Sequence, residues 1–598
     1  MVKLTINGLP VAVEDGTTIM EAAKAAGISI PHLCYLKGIN DIGACRICSV
    51  EVEGELSLVP SCNTAVREGM KVTTNSARVR SACRTNLMLI MSQHEGRCSL
   101  CDRSGTCQLQ KLTNDYDFFE NLYVTDLPTD KDRMWVKDFP LIRDPAKCIK
   151  CMRCIQVCDK IQKLGVWELM STGGRTRVDV SQHRSIDKAQ CSLCGQCIVH
   201  CPVGALRERK DATKVMAALD DPEITTVVQI APAVRTAWGE ALDLPPDKAT
   251  VNQLAGALKQ MGFDYVFDTS FSADLTIMEE ATEFLHRLQK GDLEKYPMFT
   301  SCCPAWIRFL KSRHPELVPQ LSTAKSPQQM FGSVIKSYFA ERIGVPPEKI
   351  CCISVMPCVA KKAECDIPAM RDEYGVKDVD YVLTTREIIR MLRLSDITPD
   401  KVEEKPFDRI MGDYSGAGVI FGTTGGVMEA ALRTASYMVT GKNPSTGAFG
   451  FVHAGKKFAE GEYPWQEATY TIGGSKIRVA VTSGLRNADR LCKALLRGQV
   501  KYDFVEVMAC PTGCAGGGGQ PFHRDDIERG ATRGKVLRNL DEHMQMRFSH
   551  ENPDIQRLYS EALGEPMSDA AEKLLHTDHE SWQMPDEGEP QTPDIHVV

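Results

Sequence analysis

Eight cysteines between residues 148 and 201 constrain the fold of this chain more than any other feature. They form two runs with the same spacing, C-x2-C-x2-C-x3-C, the first starting at Cys148 and the second at Cys191. Where such a run is duplicated, the fourth cysteine of each run binds the 4Fe–4S cluster of the other run. The sequence therefore predicts two crossed ligand sets: Cys148, Cys151 and Cys154 with Cys201, and Cys191, Cys194 and Cys197 with Cys158.

This spacing is that of the two-cluster bacterial ferredoxins. The first run departs from it at Asp159, where the second run has Pro202. Because neither residue is a ligand, the departure changes the direction of the chain after Cys158 and leaves the ligand sets intact.

Composition places the protein among large metal-binding proteins. The chain has 598 residues and 25 cysteines, which is too long for a secreted disulfide scaffold. Its first residues enter a strand pattern instead of a secretory signal, and no apolar run approaches the about 20 residues of a membrane span. Lys and Arg number 71 against 78 Asp and Glu, so a net charge of -7 offers no basic excess for nucleic acid. We expect a cytoplasmic protein with reduced, largely metal-bound thiols.

The first 78 residues carry another set of four cysteines behind a hairpin and a helix. Strand patterns at 2–6 and 11–13 flank an Asn-Gly turn, and a capping box precedes a helix over 20–26. This lead-in resembles a β-grasp ferredoxin domain and favours a 2Fe–2S cluster, although the first cysteine gap is longer than in plant-type ferredoxins. A structural zinc site is the alternative for these ligands, Cys34, Cys45, Cys48 and Cys62.

A third set is His94-x3-Cys98-x2-Cys101-x5-Cys107. Its spacing alone is equally compatible with a Cys3His zinc site. The two-cluster segment that follows favours a 4Fe–4S cluster with one histidine ligand. The simplest alternative for His94 is a surface histidine beside Glu95.

From about residue 222, short apolar strand patterns alternate with helical ones. Near-continuous apolar strands of this kind predict parallel α/β structure that is buried on both faces. The strand patterns lie at 226–232, 265–269, 298–304, 350–358, 477–482 and 504–510.

Three of these strands end in cysteine. Ligands of parallel sheets sit beyond the carboxyl ends of the strands, and thiolates suit iron–sulfur chemistry. The sequence therefore predicts a cluster held by cysteines from 302–303, 358, 510 and 514. The glycines at 516–519 indicate a close approach of backbone to a bulky group, and we expect them to leave room beside the cluster.

The predicted fold class is a multidomain α+β and α/β protein. It comprises a β-grasp 2Fe–2S domain, a His/Cys cluster domain, a two-cluster ferredoxin domain, an α/β domain with parallel sheets and a C-terminal segment. Residues 585–593 form an acidic, proline-rich tail that we expect to be disordered. The predicted boundaries are 1–78, 79–138, 139–210, 211–545 and 546–598.

Three stretches of the α/β domain resemble the three signature motifs of FeFe-hydrogenases: TSCCPAW at 300–306, MPCVAKKAE at 356–364, and EVMACPTGCAGGGGQP at 506–521. The likeness extends over nearly the whole chain. It implies an H-cluster, in which a 4Fe–4S cubane is joined to a di-iron centre with carbonyl, cyanide and azadithiolate ligands, built by maturases. The implied cubane ligands are Cys303, Cys358, Cys510 and Cys514, with Cys514 bridging to the di-iron centre.

The resemblance also implies the surroundings of the di-iron centre. Small and apolar groups would enclose it, and Lys361 would face a cyanide with its ammonium donors. The alternative for Lys361 is a solvated surface lysine, which we expect its neighbour Lys362 to be. The implied enclosing residues are Ala231, Pro232, Met356, Met508 and Gln328.

A proton route is implied by the same resemblance. Cys302 would exchange protons with the di-iron centre and continue the route to the surface through Glu280, Ser322, Glu283 and Arg287. Taken without the family, Glu280 and Glu283 share one helix face and are more typical of a solvated helix surface.

The implied function is the reversible reduction of protons to dihydrogen, with the 2Fe–2S cluster and the His94 cluster as two electron entry points. The electron partner is either soluble ferredoxin or an NAD(P)-linked complex with a flavin subunit and a small 2Fe–2S subunit. The chain has no Rossmann fingerprint of its own, so pyridine nucleotide chemistry would require partners. The front end resembles the large iron–sulfur subunit of NADH dehydrogenases, which favours the complex.

Two rivals of other classes remain. A non-catalytic sensor or iron–sulfur assembly factor would share the fold, and a complex-I-type electron carrier would share only the first 210 residues. Five cysteines have no implied role and are expected to pack as small apolar residues: Cys83, Cys351, Cys352, Cys365 and Cys492.

Overall fold

A computed structural model describes residues 1–117, 123, 135–242, 244–245, 248–445, 447–449, 464–522 and 528–586. Most of the proline-rich tail, from residue 587, lies outside the described residues.

The amino-terminal domain is built on one five-stranded sheet. Its strands are β1 (Val2–Ile6), β2 (Leu9–Val13), β3 (Ser49–Val52), β4 (Val59–Pro60) and β5 (Lys71–Thr73). Their order is β2-β1-β5-β3-β4, with only β1 and β5 parallel, which is the predicted β-grasp arrangement.

The predicted hairpin and helix of this domain are present. Asn7 and Gly8 both have positive φ, 50° and 82°, as a type I′ turn requires. Thr18 caps helix α1 (Ile19–Ala25) by accepting a hydrogen bond from the Glu21 amide at 3.3 Å.

The cysteine-rich middle of the chain consists of short elements. Helices α2 (Ala77–Met91) and α3 (Gln108–Asp115) precede α4 (Arg153–Lys160) and α5 (Gln196–Val199). Two antiparallel pairs join them, β6 (Leu141–Arg143) with β9 (Leu206–Glu208), and β7 (Trp167–Met170) with β8 (Arg177–Val180).

Two four-stranded sheets form the large domain. The first, in the order β11-β10-β13-β14, is wholly parallel: β10 (Thr225–Ile230), β11 (Tyr265–Asp268), β13 (Ile350–Met356) and β14 (Tyr381–Thr384). The second, in the order β12-β17-β16-β15, is parallel except at its edge strand β15: β12 (Met298–Phe299), β15 (Gln466–Ile472), β16 (Ser475–Ser483) and β17 (Phe504–Met508). The predicted parallel α/β architecture is confirmed.

Helices cover the sheets, and bulky residues such as Trp238, Phe267 and Trp306 are fully buried between the layers. No helix in the described part of the chain is long and apolar enough to cross a membrane. The helices are α6 (Ala212–Leu219), α7 (Val251–Met261), α8 (Ser270–Lys290), α9 (Pro304–Arg313), α10 (Pro327–Val334), α11 (Ala340–Ile343), α12 (Ala360–Glu364), α13 (Thr385–Leu394), α14 (Gly416–Ile420), α15 (Gly426–Thr440), α16 (Leu485–Leu496), α17 (Arg529–His543), α18 (Pro553–Leu558) and α19 (Asp569–Leu575).

Buried ion pairs join the large domain to the cysteine-rich part. Lys362 has no exposed surface, and its Nζ lies 2.8 Å from Asp211 and 2.9 Å from Glu387. The expectation that Lys362 is a solvated lysine is therefore wrong, because α12 turns this side chain toward the two carboxylates. Arg386 pairs with Glu208 at 2.6 Å in the same interface.

Candidate metal centres and catalytic site

Four cysteines of the β-grasp domain lie together in the loops beside its sheet. The Cys34 and Cys45 thiols are hydrogen-bonded, which lowers the pKa of Cys45 to about 5. The Cys48 and Cys62 thiols are hydrogen-bonded in the same way, which lowers the pKa of Cys48 to about 7. A site that favours thiolates at two of its four sulfurs suits a metal cluster.

This first site adjoins the next one in space. The Asn40 side-chain amide donates to the carbonyl oxygens of Cys34 at 2.7 Å and Cys151 at 2.9 Å. Arg153 donates to the carbonyl oxygen of Tyr35 at 2.7 Å. Two buried side chains thus hold the loop of Cys34 against the loop of Cys151.

The His94 set reaches the same neighbour from another side. Nδ1 of His94 lies 3.0 Å from the Lys147 carbonyl oxygen, which leaves Nε2 available to bind a metal. Arg103, between Cys101 and Cys107, donates to the Cys201 carbonyl oxygen at 2.7 Å. The loop that carries this set is therefore packed against the segment of Cys201.

Six of the eight cysteines of the two crossed sets are buried, and Cys148 and Cys154 are partly buried. Burial is the main reason why the pKa of Cys151 rises to about 12, and the nearby Cys201 adds to the rise. Burial also raises the pKa of Cys194 to about 12, with a further contribution from Cys191. After burial, the groups that raise the pKa of the Cys158 thiol include Cys194 and Cys191 of the second run. The fold therefore places Cys201 with the first set and Cys158 with the second.

Among the described residues, no three His, Cys, Asp or Glu side chains converge closely enough to hold a single metal ion. An iron–sulfur cluster has another requirement, because its thiolates are shared among two or four iron atoms and do not converge on one. Burial raises the pKa of a thiol because it disfavours the negatively charged thiolate. Bound iron would stabilise the thiolates by its positive charge, so spaced, buried thiols fit such a cluster.

The last group of cysteines lies at the carboxyl ends of strands from both large sheets. Cys303 begins α9 after β12, Cys358 follows β13, and Cys510 and Cys514 follow β17. Burial raises the pKa of all four thiols, and Cys510 senses Cys358, Cys303 and Cys514. Four thiols from three separate segments therefore meet at one place.

A cavity of about 80 Å³ adjoins these thiols. It is bordered by Cys302, Cys303, Cys358 and Cys514 and is otherwise mainly apolar. Its lining also contains Lys361 and all five residues expected to enclose the di-iron centre, Ala231, Pro232, Gln328, Met356 and Met508. A largely apolar chamber with one cation and an adjacent set of thiols fits an anionic metal cofactor attached by few protein ligands.

Lys361 is held in place by its own helix and by the cysteine loop. Its Nζ donates to Glu364 at 2.9 Å and to the Cys302 carbonyl oxygen at 3.2 Å, and the residue is 8% exposed. The structure thus places Lys361 at the cavity and not in solvent. Gln328 braces the same helix, since its Nε2 donates to the Lys361 carbonyl oxygen at 3.3 Å.

The glycine run has other neighbours than expected. A Cβ on Gly517 would lie 2.1 Å from the Pro357 oxygen, and a Cβ on Gly518 would lie 2.3 Å from the Cys194 oxygen. The run therefore allows its backbone to pack against the Cys358 loop and the Cys194 loop. The predicted close approach is therefore to other backbone, and the expectation that the run leaves room beside the cluster stays a prediction.

The residues of the implied proton route form a connected series. Glu280 lies close enough to Cys302 to raise the pKa of that thiol, and Glu283 and Ser322 lie close enough to Glu280 to influence the pKa of its carboxyl. Ser322 Oγ donates to Glu283 at 2.6 Å, and Arg287 pairs with Glu283 at 2.6 Å. Glu280 and Glu283 are buried, so the solvated-helix alternative does not describe them.

Burial is the main reason why the pKa of Glu280 rises to about 8, and Glu283 adds to the rise. A carboxyl with a pKa near neutrality both accepts and releases protons readily under physiological conditions. Burial likewise raises the pKa of Cys302 well above that of a free thiol, so Cys302 is a protonated thiol in this environment.

Sequence reasoning missed Glu506, a fully buried carboxylate within the apolar strand β17. It accepts hydrogen bonds from the Gly425 amide at 2.6 Å and the Met428 amide at 2.7 Å, at the start of α15. A glutamate in the middle of the apolar segment FVEVM was the available signal. Cys365, which had no expected role, accepts hydrogen bonds from Gln328 and Gln329 at 3.3 and 3.4 Å.

Known families match this chain in consecutive segments. Residues 1–77 match a 2Fe-2S iron-sulfur cluster binding domain, 84–121 the NADH-ubiquinone oxidoreductase-G iron-sulfur binding region, and 147–205 a 4Fe-4S dicluster domain. Residues 224–518 match the iron only hydrogenase large subunit, C-terminal domain, and 528–582 the iron hydrogenase small subunit.

Individual proteins are similar over most of the chain. The NADP-reducing hydrogenase subunit HndD of Solidesulfovibrio fructosivorans is 43% identical over 96% of this chain and 98% of its own length. Iron hydrogenase 1 of Clostridium pasteurianum is 38% identical over 96% of this chain and 99% of its own length. The structure of a single-residue variant of apo [FeFe]-hydrogenase HydA1 from Chlamydomonas reinhardtii is 40% identical, with a TM-score of 0.56, and covers 63% of this chain and all of that one.

Proposed function

This chain belongs to the FeFe-hydrogenase family, and we propose that it interconverts dihydrogen with two protons and two electrons. The observation that carries the proposal is the apolar cavity where Cys303, Cys358 and Cys514 meet the Lys361 ammonium and the Cys302 thiol. This combination offers cluster ligands, a cation for an anionic cofactor and a proton donor at one place.

Cys303, Cys358, Cys510 and Cys514 would hold the cubane of an H-cluster, and Cys514 would also attach the di-iron centre. The bound cofactor would supply the chemistry that makes and breaks the H–H bond. The protein would contribute Lys361 as a donor to an anionic ligand and apolar walls that exclude water. Dedicated maturases would build the di-iron centre with its carbonyl, cyanide and azadithiolate ligands.

The accessory sites would hold one 2Fe–2S and three 4Fe–4S clusters and carry electrons. The contacts of Asn40 and Arg103 support a convergent route, because both entry sites adjoin the set of Cys148, Cys151, Cys154 and Cys201. From there electrons would pass to the second crossed set. That set adjoins the catalytic thiols, since Cys510 Sγ lies 3.8 Å from the Cys194 carbonyl oxygen.

Protons would travel separately from electrons. Cys302 would exchange protons at the cavity, Glu280 would take them over, and Ser322 would connect Glu280 to Glu283. Arg287 would hold Glu283 at the outer end through its ion pair. The short contact between Ser322 and Glu283 and the near-neutral pKa of Glu280 support this route.

The electron partner that we propose is an NAD(P)-linked complex with a flavin subunit and a small 2Fe–2S subunit. The name of the relative from Solidesulfovibrio fructosivorans, an NADP-reducing hydrogenase subunit, supports this partner. Soluble ferredoxin is the other candidate. Purification of the native protein with its bound partners distinguishes them, because a flavin-containing subunit would accompany the chain only in the first case.

Expression with the maturases tests the catalytic proposal. Hydrogen evolution from a reduced viologen, together with infrared bands of metal-bound carbonyl and cyanide, is the expected result. A protein that lacks both after maturation, while retaining its iron–sulfur absorption, would instead act as an assembly factor, a sensor or an electron carrier.

A further inference from the structure

Among the described residues that the implied proton route names, none beyond Glu283 can exchange protons with solvent. Glu283 accepts hydrogen bonds from the Ser322 hydroxyl and the Thr323 amide and pairs with Arg287. A guanidinium stays protonated at all physiological pH values, so Arg287 cannot release a proton and take up another. Another group must exchange protons between Glu283 and water.

Residues 575–582, which we call the C-terminal strap, cross the outside of this region. The strap pairs with the chain that follows Ser322: the Lys325 amide donates to the Leu575 oxygen, and the Thr577 amide donates to the Thr323 oxygen, both at 2.8 Å. Its histidines are thereby brought over the outer end of the route.

His576 contacts the residue that holds Glu283. Its Nδ1 lies 2.8 Å from the Thr323 hydroxyl, while the Thr323 amide donates to Glu283 at 3.1 Å. Its Nε2 lies 3.0 Å from the buried carboxylate of Glu279. One residue, Thr323, therefore separates the imidazole from the outer carboxylate of the route.

The same imidazole borders a surface cavity of about 560 Å³, room for several water molecules at about 30 Å³ each. Thr323 also lines this cavity, so solvent reaches both members of the contact. Three exposed carboxylates lie at its rim, where their negative charge attracts protons from solvent: Glu572, Asp578 and Glu580.

We propose that His576 is the residue that exchanges protons between the route and bulk solvent. The inference rests on the proposed function and extends it by one residue. During hydrogen oxidation, a proton leaves Glu283 through the Thr323 hydroxyl or adjacent solvent, His576 takes it up, and the imidazolium releases it to water in the cavity. Proton reduction uses the same steps in reverse. Histidine suits this position because one ring nitrogen can accept a proton while the other donates one.

His579 is a positioning residue for this arrangement. Its Nε2 lies 2.8 Å from the Ser322 carbonyl oxygen. The Lys311 ammonium donates a hydrogen bond to the carbonyl oxygen of His579. Burial lowers the pKa of His579, so it stays neutral and fastens the strap over Ser322. The charged groups around it are Lys311, Glu283 and Asp578.

The test uses the matured holoenzyme with His576→Gln, which keeps a donor and an acceptor for Glu279 and Thr323 but cannot titrate. The primary measurement is the rate at which the Glu280 carboxyl exchanges its proton in heavy water. This rate is followed by infrared spectroscopy on the resting enzyme, with the band assigned by its loss in Glu280→Gln. We expect exchange and turnover to slow at least about 10-fold, with an unchanged unfolding temperature. An exchange rate equal to that of the wild type overturns the proposal.

A second variant covers the case in which the strap loosens. His576→Ala should show the same loss, and imidazole added to the buffer should restore exchange and turnover by entering the cavity. Failure of imidazole to restore either rate in a folded Ala variant also overturns the proposal. The matched control is His543→Gln, at an exposed histidine on α17, which should leave both rates unchanged.

The two proposals fail in distinguishable ways. If the wild-type protein produces no hydrogen yet His576→Gln slows carboxyl exchange, the proposed function is wrong and the exchange role of His576 holds. If turnover is present and exchange is unaffected by His576→Gln, only the role of His576 is wrong.

Discussion

The sulfur of Cys510 lies 3.8 Å from the carbonyl oxygen of Cys194. Cys510 follows strand β17, beside the catalytic cavity, and Cys194 belongs to the second accessory set. The two sites therefore share a direct contact through protein atoms, without an intervening layer of side chains. Gly518 makes this contact possible, because its missing Cβ would meet the same carbonyl oxygen.

Gly518→Ala tests the importance of this contact. The added Cβ would lie 2.3 Å from the Cys194 oxygen and 2.5 Å from Gly195 Cα, so one of the two loops must move. We expect a loss of about 1–3 kcal/mol in stability and slower reduction of the catalytic site by the accessory clusters. Gly534→Ala is the control, since its Cβ would make only an ordinary contact at 3.6 Å. Equal unfolding temperatures for the two variants would contradict the prediction.

Cys302→Ala should separate proton supply from cofactor assembly. The substitution removes the thiol that lies between the cavity and Glu280, and it leaves the four predicted cluster ligands in place. We expect infrared and electron paramagnetic resonance spectra like those of the wild type, with turnover lowered by about 10²–10⁴-fold. Cys492→Ala, at a buried cysteine of α16 remote from the cavity lining, is the matched control. Substantial remaining turnover in Cys302→Ala would rule out the thiol as proton donor.

Glu280 should make the stability of the fold depend on pH. Its pKa is about 8 in the folded protein against 4.5 for the free side chain, so its contribution to stability is complete below pH 4.5. The unfolded chain releases this proton at lower pH, and the contribution is therefore lost as pH rises toward 8. Glu280→Gln cannot ionise, and its unfolding temperature relative to the wild type should rise across this interval. A difference that stays constant with pH would show that Glu280 is ionised in the folded state.

Lys362→Ala should destabilise the protein strongly. Removal of this fully buried ammonium takes away the cation that Asp211 and Glu387 share, and Asp211 keeps only its pairs with Arg209 at 3.1 Å and Lys214 at 3.8 Å. The expected cost is about 3–5 kcal/mol at neutral pH, and it should shrink in acid as a carboxylate takes up a proton. Lys573→Ala, at a lysine whose side chain is 73% exposed, should cost little in the same unfolding experiment. Similar costs at the two positions would argue against the buried ion triad.

Much of the architecture followed from local patterns in the sequence. The hairpin and helix at the amino terminus and the parallel strands of the large domain all lie close to the predicted positions. Such features depend on residues that are near in sequence, through turn geometry, capping and the periodicity of apolar side chains. The duplicated cysteine spacing likewise predicted the two crossed ligand sets, whereas the H-cluster ligands were implied by the family resemblance.

The tertiary structure alone decided which distant surfaces meet. Lys362 carries the same charge as a surface lysine, and only the position of α12 against Asp211 and Glu387 makes it a buried ion. The glycines at 516–519 indicate a close approach, but not that the partner is the backbone of the Cys194 and Cys358 loops. Nothing in the sequence around His576 indicates its proposed role. That role depends on the contact between the C-terminal strap and Thr323, which lies 253 residues earlier in the chain. Spacing within a loop indicates which residues can bind one metal centre, whereas contacts between separate segments determine which neighbours that centre has.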